Sequence, residues 1–291
     1  MTRAPGATFG RRLTDTFARF GHLCVGIDPH PWLLRDWGLP DTAAGAREFG
    51  LRVVEASSSR VGIVKPQVAF FERHGAAGFL ALEGVMAEAR DAGLLVIADA
   101  KRGDVGSSAE AYGAAWLTPG SPLSADALTL SSYLGVGSLT SVIGLAHQHG
   151  KGLYLLAATS NPEGVAVQTA TETRGENAGR SVASSIVAEV AALNAAAGTD
   201  PIGPLGVVLG ATVDLADYGI DPELLAARPA TSILAPGFGH QGARFDQVRE
   251  LYGAAAPFTV LSVSRSVLSA GPAGLPNAIA ASADEVARCL A

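Results

Sequence analysis

The chain has 291 residues, 48% hydrophobic and 16% charged, with a mean hydropathy of +0.28, which is ample apolar mass for a large core. A formal charge of -6 and a pI near 5.5 exclude broad electrostatic binding to nucleic acid or to an anionic membrane, so any anionic ligand needs local basic residues. Apolar runs break well short of the roughly 20 residues of a membrane span, and Cys24 and Cys289, near opposite ends, make neither a disulfide framework nor a metal site.

In chain order, the stretch M-T-R-A-P-G-A-T-F-G-R-R-L carries three arginines with no apolar run behind them. It does not read as a secretory signal, and a cytoplasmic location is expected. Phe9, Leu13, Phe17 and Phe20 recur at helical spacing, which predicts a helix packed on the core, with Arg11 and Arg12 on a solvated face. Short apolar, β-branched runs follow: H-L-C-V-G-I-D at 22–28, R-V-G-I-V-K-P at 60–66 and L-L-V-I-A-D-A-K at 94–101. Further runs begin at 126, 152, 205, 232 and 258, giving eight predicted strands. Ala-, Leu- and Glu-rich helical stretches lie between them, at intervals of about thirty residues, the length of a βαβ unit. The expectation is one α/β domain over 1–291, a (β/α)8 barrel whose N-terminal helix covers the barrel floor. An open doubly wound sheet competes, because strand count alone does not prove closure. After the fifth strand the interval lengthens, and the polar stretch at 161–179 is expected to form an inserted loop over the barrel mouth.

A barrel of this kind builds its site at the C-terminal ends of the strands. The first predicted strand ends in Asp28, the second in Lys65, and the third carries Asp99 and Lys101 with Asp104 beyond. Residues two apart on a strand share a face, so Asp99 and Lys101 are expected to project together. Ser107 with Glu110 fits a capping box that would start the next helix and order Asp104. A lone charge at a strand end is ordinarily a surface ion pair, but charges at the same end of three consecutive strands are costly to assemble without a use. Farther on, A-P-G-F-G-H-Q-G at 235–242 and S-V-S-R-S at 262–266 end the last two strands. Gly237 and Gly239 let backbone N–H groups approach an anion, Gln241 can donate, and Arg265 offers a charged fork suited to phosphate.

These motifs resemble a known family. D-A-K-R-G-D, with the pattern D-x-K-x-x-D, resembles the signature of orotidine 5'-phosphate decarboxylases, and V-K-P-Q-V-A-F-F-E with L-A-A-T-S-N-P-E-G is similar to their bacterial type 2 branch. The similarity runs from L-C-V-G-I-D-P to S-V-S-R-S, nearly the whole chain. D-x-K-x-x-D alone is shared with sugar-phosphate decarboxylases and synthases; the V-K-P-Q and T-S-N-P segments narrow it.

The resemblance implies decarboxylation of orotidine 5'-phosphate to uridine 5'-phosphate without a cofactor or metal. Lys101 would donate the proton, with Asp28, Lys65, Asp99 and Asp104 completing a charged network. Asp104 and Ser108 would reach across a homodimer interface to the neighbouring site. Ser160 would read the pyrimidine, Gln241 and Arg265 would make the phosphate and base-closing contacts in a pocket lined by Pro236 and Gly237, and Ser264 would bind substrate. Two positions depart from the pattern: His240 stands where many relatives have alanine, and Ser132 where a proline is expected. Two other enzymes fit the fold: a metal-dependent sugar-phosphate decarboxylase or synthase, and an aldolase forming a Schiff base at Lys65 or Lys101, which the Asp neighbours oppose. A catalytically dead ligand-binding barrel is the non-enzyme alternative.

Overall fold

The computed structural model describes residues 6–198 and 200–291; the first five residues of the arginine-bearing N-terminal stretch lie outside them. Eight parallel strands close into a barrel in sequence order: β1 Leu23–Ile27, β2 Ile63–Pro66, β3 Leu95–Arg102, β4 Ala127–Leu130, β5 Gly152–Ala158, β6 Ile202–Leu209, β7 Ala230–Pro236 and β8 Thr259–Val263. Closure is made by β1 pairing with β8, Val25 opposite Val263, which rules out the open sheet. The expected strands sit where the apolar runs predict, with β6 and β7 starting a few residues earlier. Nearly every strand residue is buried, because the lumen covers one face and helices the other.

The core accordingly divides in two. Cys24, Ile63, Ile97, Tyr154 and Val260 fill the lumen, and a larger set including Phe49, Val85, Leu128 and Ile279 joins strands to helices. The first helix, α1 (Phe9–Phe20), plugs the floor of the lumen: Phe9 packs edge-on against Tyr154, with ring centroids 6.1 Å apart. Gly10 admits this approach, since a Cβ there would fall 1.9 Å from the carbonyl oxygen of Ile202. Arg11 is exposed as expected, but Arg12 is not. It ion-pairs with the fully buried Asp126 and donates to the carbonyl of Gly150 at 2.9 Å. An amphipathic count cannot distinguish a solvated arginine from one whose stem lies along the floor.

The 161–179 segment forms a turn at Pro162–Gly164 and a short helix at Val165–Gln168 before running irregularly to Ser181. Its root is clipped to the end of β5 by the Gln168 amide, which accepts from the Thr159 N–H at 3.0 Å and donates to the Thr159 hydroxyl at 2.8 Å. Among the described residues no helix is long and apolar enough to cross a membrane.

Candidate active site

At the C-terminal mouth of the barrel a cavity of about 520 Å³ opens among the strand ends. Its lining brings together Asp28, Lys65, Asp99, Lys101, Ser160 and Arg265, together with Pro236, Gly237, Gln241 and Ser264. Asp104 and Ser108, expected to reach a neighbouring subunit's site, do not line this one.

The Asp99 carboxylate is the hub. Lys65 Nζ donates to its Oδ2 at 2.8 Å and Gln67 Nε2 to the same oxygen at 2.9 Å, while Lys101 Nζ reaches Oδ1 at 2.6 Å and the Thr129 hydroxyl reaches it at 3.0 Å. Two donors on each oxygen use its acceptor sites fully, so the carboxylate has one orientation. Burial disfavours its charge, but Lys65 and Lys101 outweigh that and hold its pKa well below the usual carboxylate range. Burial likewise opposes the charge on Lys65, and the Asp99 and Asp28 carboxylates overcome it, raising its pKa above that of an ordinary lysine. An unpaired set of this kind would be costly to bury; here the two lysines flank the Asp99 carboxylate, and Asp28 supplies a second negative charge near Lys65.

The Lys101 geometry departs from regular strand alternation. Its φ is +48°, and the β3–β4 register shifts between Ala98 and Arg102, so the ammonium meets Asp99 through a distorted strand end. The predicted capping box is also absent. The helix Gly106–Leu117 begins before Ser107, with Val105 at its N-cap and no side-chain cap. Gly106, at φ +55°, makes the turn, and Asp104 is ordered by accepting from the Val105 N–H at 2.8 Å.

Across the mouth, Ser264 donates to Asp28 Oδ2 at 2.6 Å, joining the ends of β8 and β1. The other oxygen, Oδ1, is buried with no hydrogen-bond partner among the described residues, and it belongs to a side chain that lines the cavity. A buried carboxylate oxygen left in this way fits a ligand hydroxyl. Ser160 contacts Gln241 Oε1 at 3.4 Å, linking the β5 and β7 loops. The β7 loop passes so close to the short helix Arg265–Leu268 after β8 that a Cβ on Gly239 would lie 2.7 Å from that of Ser266. Gln241, Arg265 and His240 all line the cavity. Ser132 makes no part of the lining; its hydroxyl donates to the Leu156 carbonyl at 2.9 Å and ties the end of β4 to β5.

Several lining or supporting residues were not foreseen: His30, Gln67, Phe70, Thr129 and Gln168. Gln67 lies two residues beyond Lys65, so the same alternation used for Asp99 and Lys101 points to it. His30 packs against Phe70 with ring centroids 4.2 Å apart, and burial lowers its pKa, an effect that Asp28 opposes and Arg265 reinforces.

Comparison with known proteins agrees with this geometry. A family model described as "Orotidine 5'-phosphate decarboxylase / HUMPS family" matches residues 21–274. An orotidine 5'-phosphate decarboxylase of Corynebacterium efficiens is 48% identical over 266 residues, covering 91% of each chain. One from Streptomyces coelicolor is 49% identical over 267 residues, again 91% of each. A crystal structure from Streptomyces avermitilis superposes with a TM-score of 0.91 at 45% identity, covering 100% of this chain and 99% of the other.

Proposed function

The chain belongs to the orotidine 5'-phosphate decarboxylase / HUMPS family, and on that premise we propose that it decarboxylates orotidine 5'-phosphate to uridine 5'-phosphate, the carboxy-lyase step of pyrimidine nucleotide synthesis. The observation that carries the reading is the Lys101 ammonium, held against Asp99 yet open to a cavity that also contains Gln241 and Arg265.

In this reading the C6–carboxylate bond breaks, carbon dioxide leaves, and the electron pair stays on C6 as an sp2 carbanion. The pair lies in the plane of the ring, so the π system does not delocalise it. Lys101 stabilises the developing charge and transfers its proton to C6, then regains one from solvent. Asp99, held by four donors, keeps the ammonium aimed at that point. It also stands close to the departing carboxylate, but the two ammonium groups of Lys65 and Lys101 more than offset its charge, which favours transition-state stabilisation over ground-state repulsion as the main effect. Asp28 offers its unpartnered oxygen to a ribose hydroxyl, Ser160 faces the base, and Gln241 and Arg265 take the phosphate beside Pro236 and Gly237. Binding energy from the phosphate, remote from the reacting bond, assembles the site.

A homodimer belongs to the same reading. Asp104, on the turn after β3, and Ser108, in the first turn of the helix Gly106–Leu117, lie outside their own cavity, flanked by the exposed apolar side chains of Val105, Tyr112, Tyr133 and Leu134. Tyr133 is 79% exposed, an unusual position for a tyrosine in a chain that works alone. Pairing two copies through this face would bring Asp104 and Ser108 to the partner's site. Sedimentation should give twice the chain mass, reduced to the monomer by Tyr133→Glu. A cytoplasmic location is proposed with it.

The assay follows loss of the orotate chromophore in the ultraviolet with EDTA present. Turnover of orotidine 5'-phosphate is expected; activity that appears only with added magnesium and a sugar phosphate would support the related synthases instead. Schiff-base chemistry is disfavoured by Lys65, whose charge Asp99 and Asp28 preserve.

A further inference from the structure

Beneath the charged cluster, one uncharged side chain touches both members of the central pair. Thr129, in β4 and 1% exposed, accepts a hydrogen bond from the backbone N–H of Lys101 at 2.9 Å and donates its only proton to Asp99 Oδ1 at 3.0 Å. The hydroxyl has one proton, and Asp99 is held ionised, so the directions of both bonds follow.

Lys101 needs such a partner. At φ +48° it occupies a region that costs a residue with a Cβ free energy and is retained only where surrounding contacts enforce it. The β3–β4 ladder is interrupted between Ala98 and Arg102, and within that interval the Lys101 N–H is received by a side chain. A buried β-branched residue on a parallel strand is ordinarily valine or isoleucine, and a hydroxyl in its place is costly unless bonded. Here both of its bonds go to the reacting pair.

We infer that Thr129 is a positioning residue for decarboxylation: it fixes the left-handed backbone of Lys101 and the rotation of the Asp99 carboxylate together, and so sets the direction of the ammonium. The inference rests on the reaction proposed above. Thr129 does not line the cavity, so it acts through Lys101 and Asp99 and not on the nucleotide.

The test is Thr129→Val, which keeps the shape and removes both bonds, alongside Thr129→Ser and Thr129→Cys. In Thr129→Val, kcat for orotidine 5'-phosphate should fall about 10- to 100-fold, the scale of a small misplacement of a catalytic group. Affinity for uridine 5'-phosphate should stay within about twofold, since no ligand contact is lost. Thr129→Ser should recover most of kcat, and Thr129→Cys, a weaker donor and acceptor, should lie between. Should the valine variant fail to fold, the order Thr, Ser, Cys still decides. Equal kcat across the series, a serine variant as impaired as the valine, or a loss that appears in nucleotide affinity would each overturn the assignment. An unmutated protein that does not decarboxylate would instead overturn the reaction itself, and this role with it.

Discussion

Lys101 Nζ lies 2.6 Å from Asp99 Oδ1, yet the lysine side chain is 44% exposed and the aspartate 8%. One ion pair thus crosses from packed interior to open cavity, with the anion anchored and the cation presented. Lys101→Ala should therefore abolish decarboxylation while uridine 5'-phosphate still binds, measured by single-turnover assay and calorimetry. Near-normal turnover would remove Lys101 from its role.

Asp99→Asn strands the ammonium of Lys65, which is 7% exposed, without the carboxylate beside it. Breaking a buried pair on one side costs about 3–5 kcal/mol, to be read from urea denaturation. The pH dependence has a definite sign. The pKa of Asp99 is depressed in the folded protein, so its contribution is complete above the ordinary carboxylate value of 3.8 and is lost as pH falls below it toward the native value. The pKa of Lys65 is raised, so its contribution is complete below the ordinary lysine value of 10.5 and is lost as pH climbs beyond it. Stability from this pair should be flat across neutrality, and the asparagine variant should lose the acid limb that Asp99 supplies.

Arg265→Ala should weaken nucleotide binding by about 1.5–3 kcal/mol, roughly 10- to 150-fold, as for a charged hydrogen bond. The comparison that gives this meaning is orotidine, which lacks the phosphate: its turnover should change little. A variant equally impaired with both would place Arg265 elsewhere than at the phosphate.

At the other end of the barrel, Arg12→Met should destabilise the fold by about 3 kcal/mol, because the fully buried Asp126 loses its guanidinium partner. The floor is far from the mouth in this fold, so kcat should be that of the parent. A lowered Tm with unchanged kcat is the expected pair of results; loss of kcat without loss of Tm would contradict it.

The strands were legible because both of their faces are buried, which writes them as unbroken apolar runs such as L-L-V-I-A. Charge was legible for a related reason: Asp28, Lys65 and Asp99 interrupt those runs at the same end. Thr129 left no comparable mark. A threonine in A-L-T-L is ordinary strand composition, and only the distortion at Lys101 makes its hydroxyl matter. Conversely, Ser107 and Glu110 satisfied a spacing rule without making the cap, since a glycine earlier in the chain had already turned it. Arg12 was read from periodicity alone, and its buried partner lies more than a hundred residues away, beyond any local pattern. For Asp104 and Ser108 the sequence placed them near the site, and one copy of the chain leaves them outside its cavity.

Closure of the barrel through β1 and β8, with Ser264 bonded to Asp28, bears on how the protein is made. Asp28 is made 236 residues ahead of Ser264, so for much of synthesis the mouth of the barrel lacks one of its walls. The N-terminal strands can pair as they emerge, but a nascent chain has neither Arg265, the proposed phosphate contact, nor a fixed Asp28 until β8 is released. The site therefore stays silent until β8 has been made and has closed the barrel, and a truncated product ending before β8 would lack Ser264 and Arg265 and catalyse nothing.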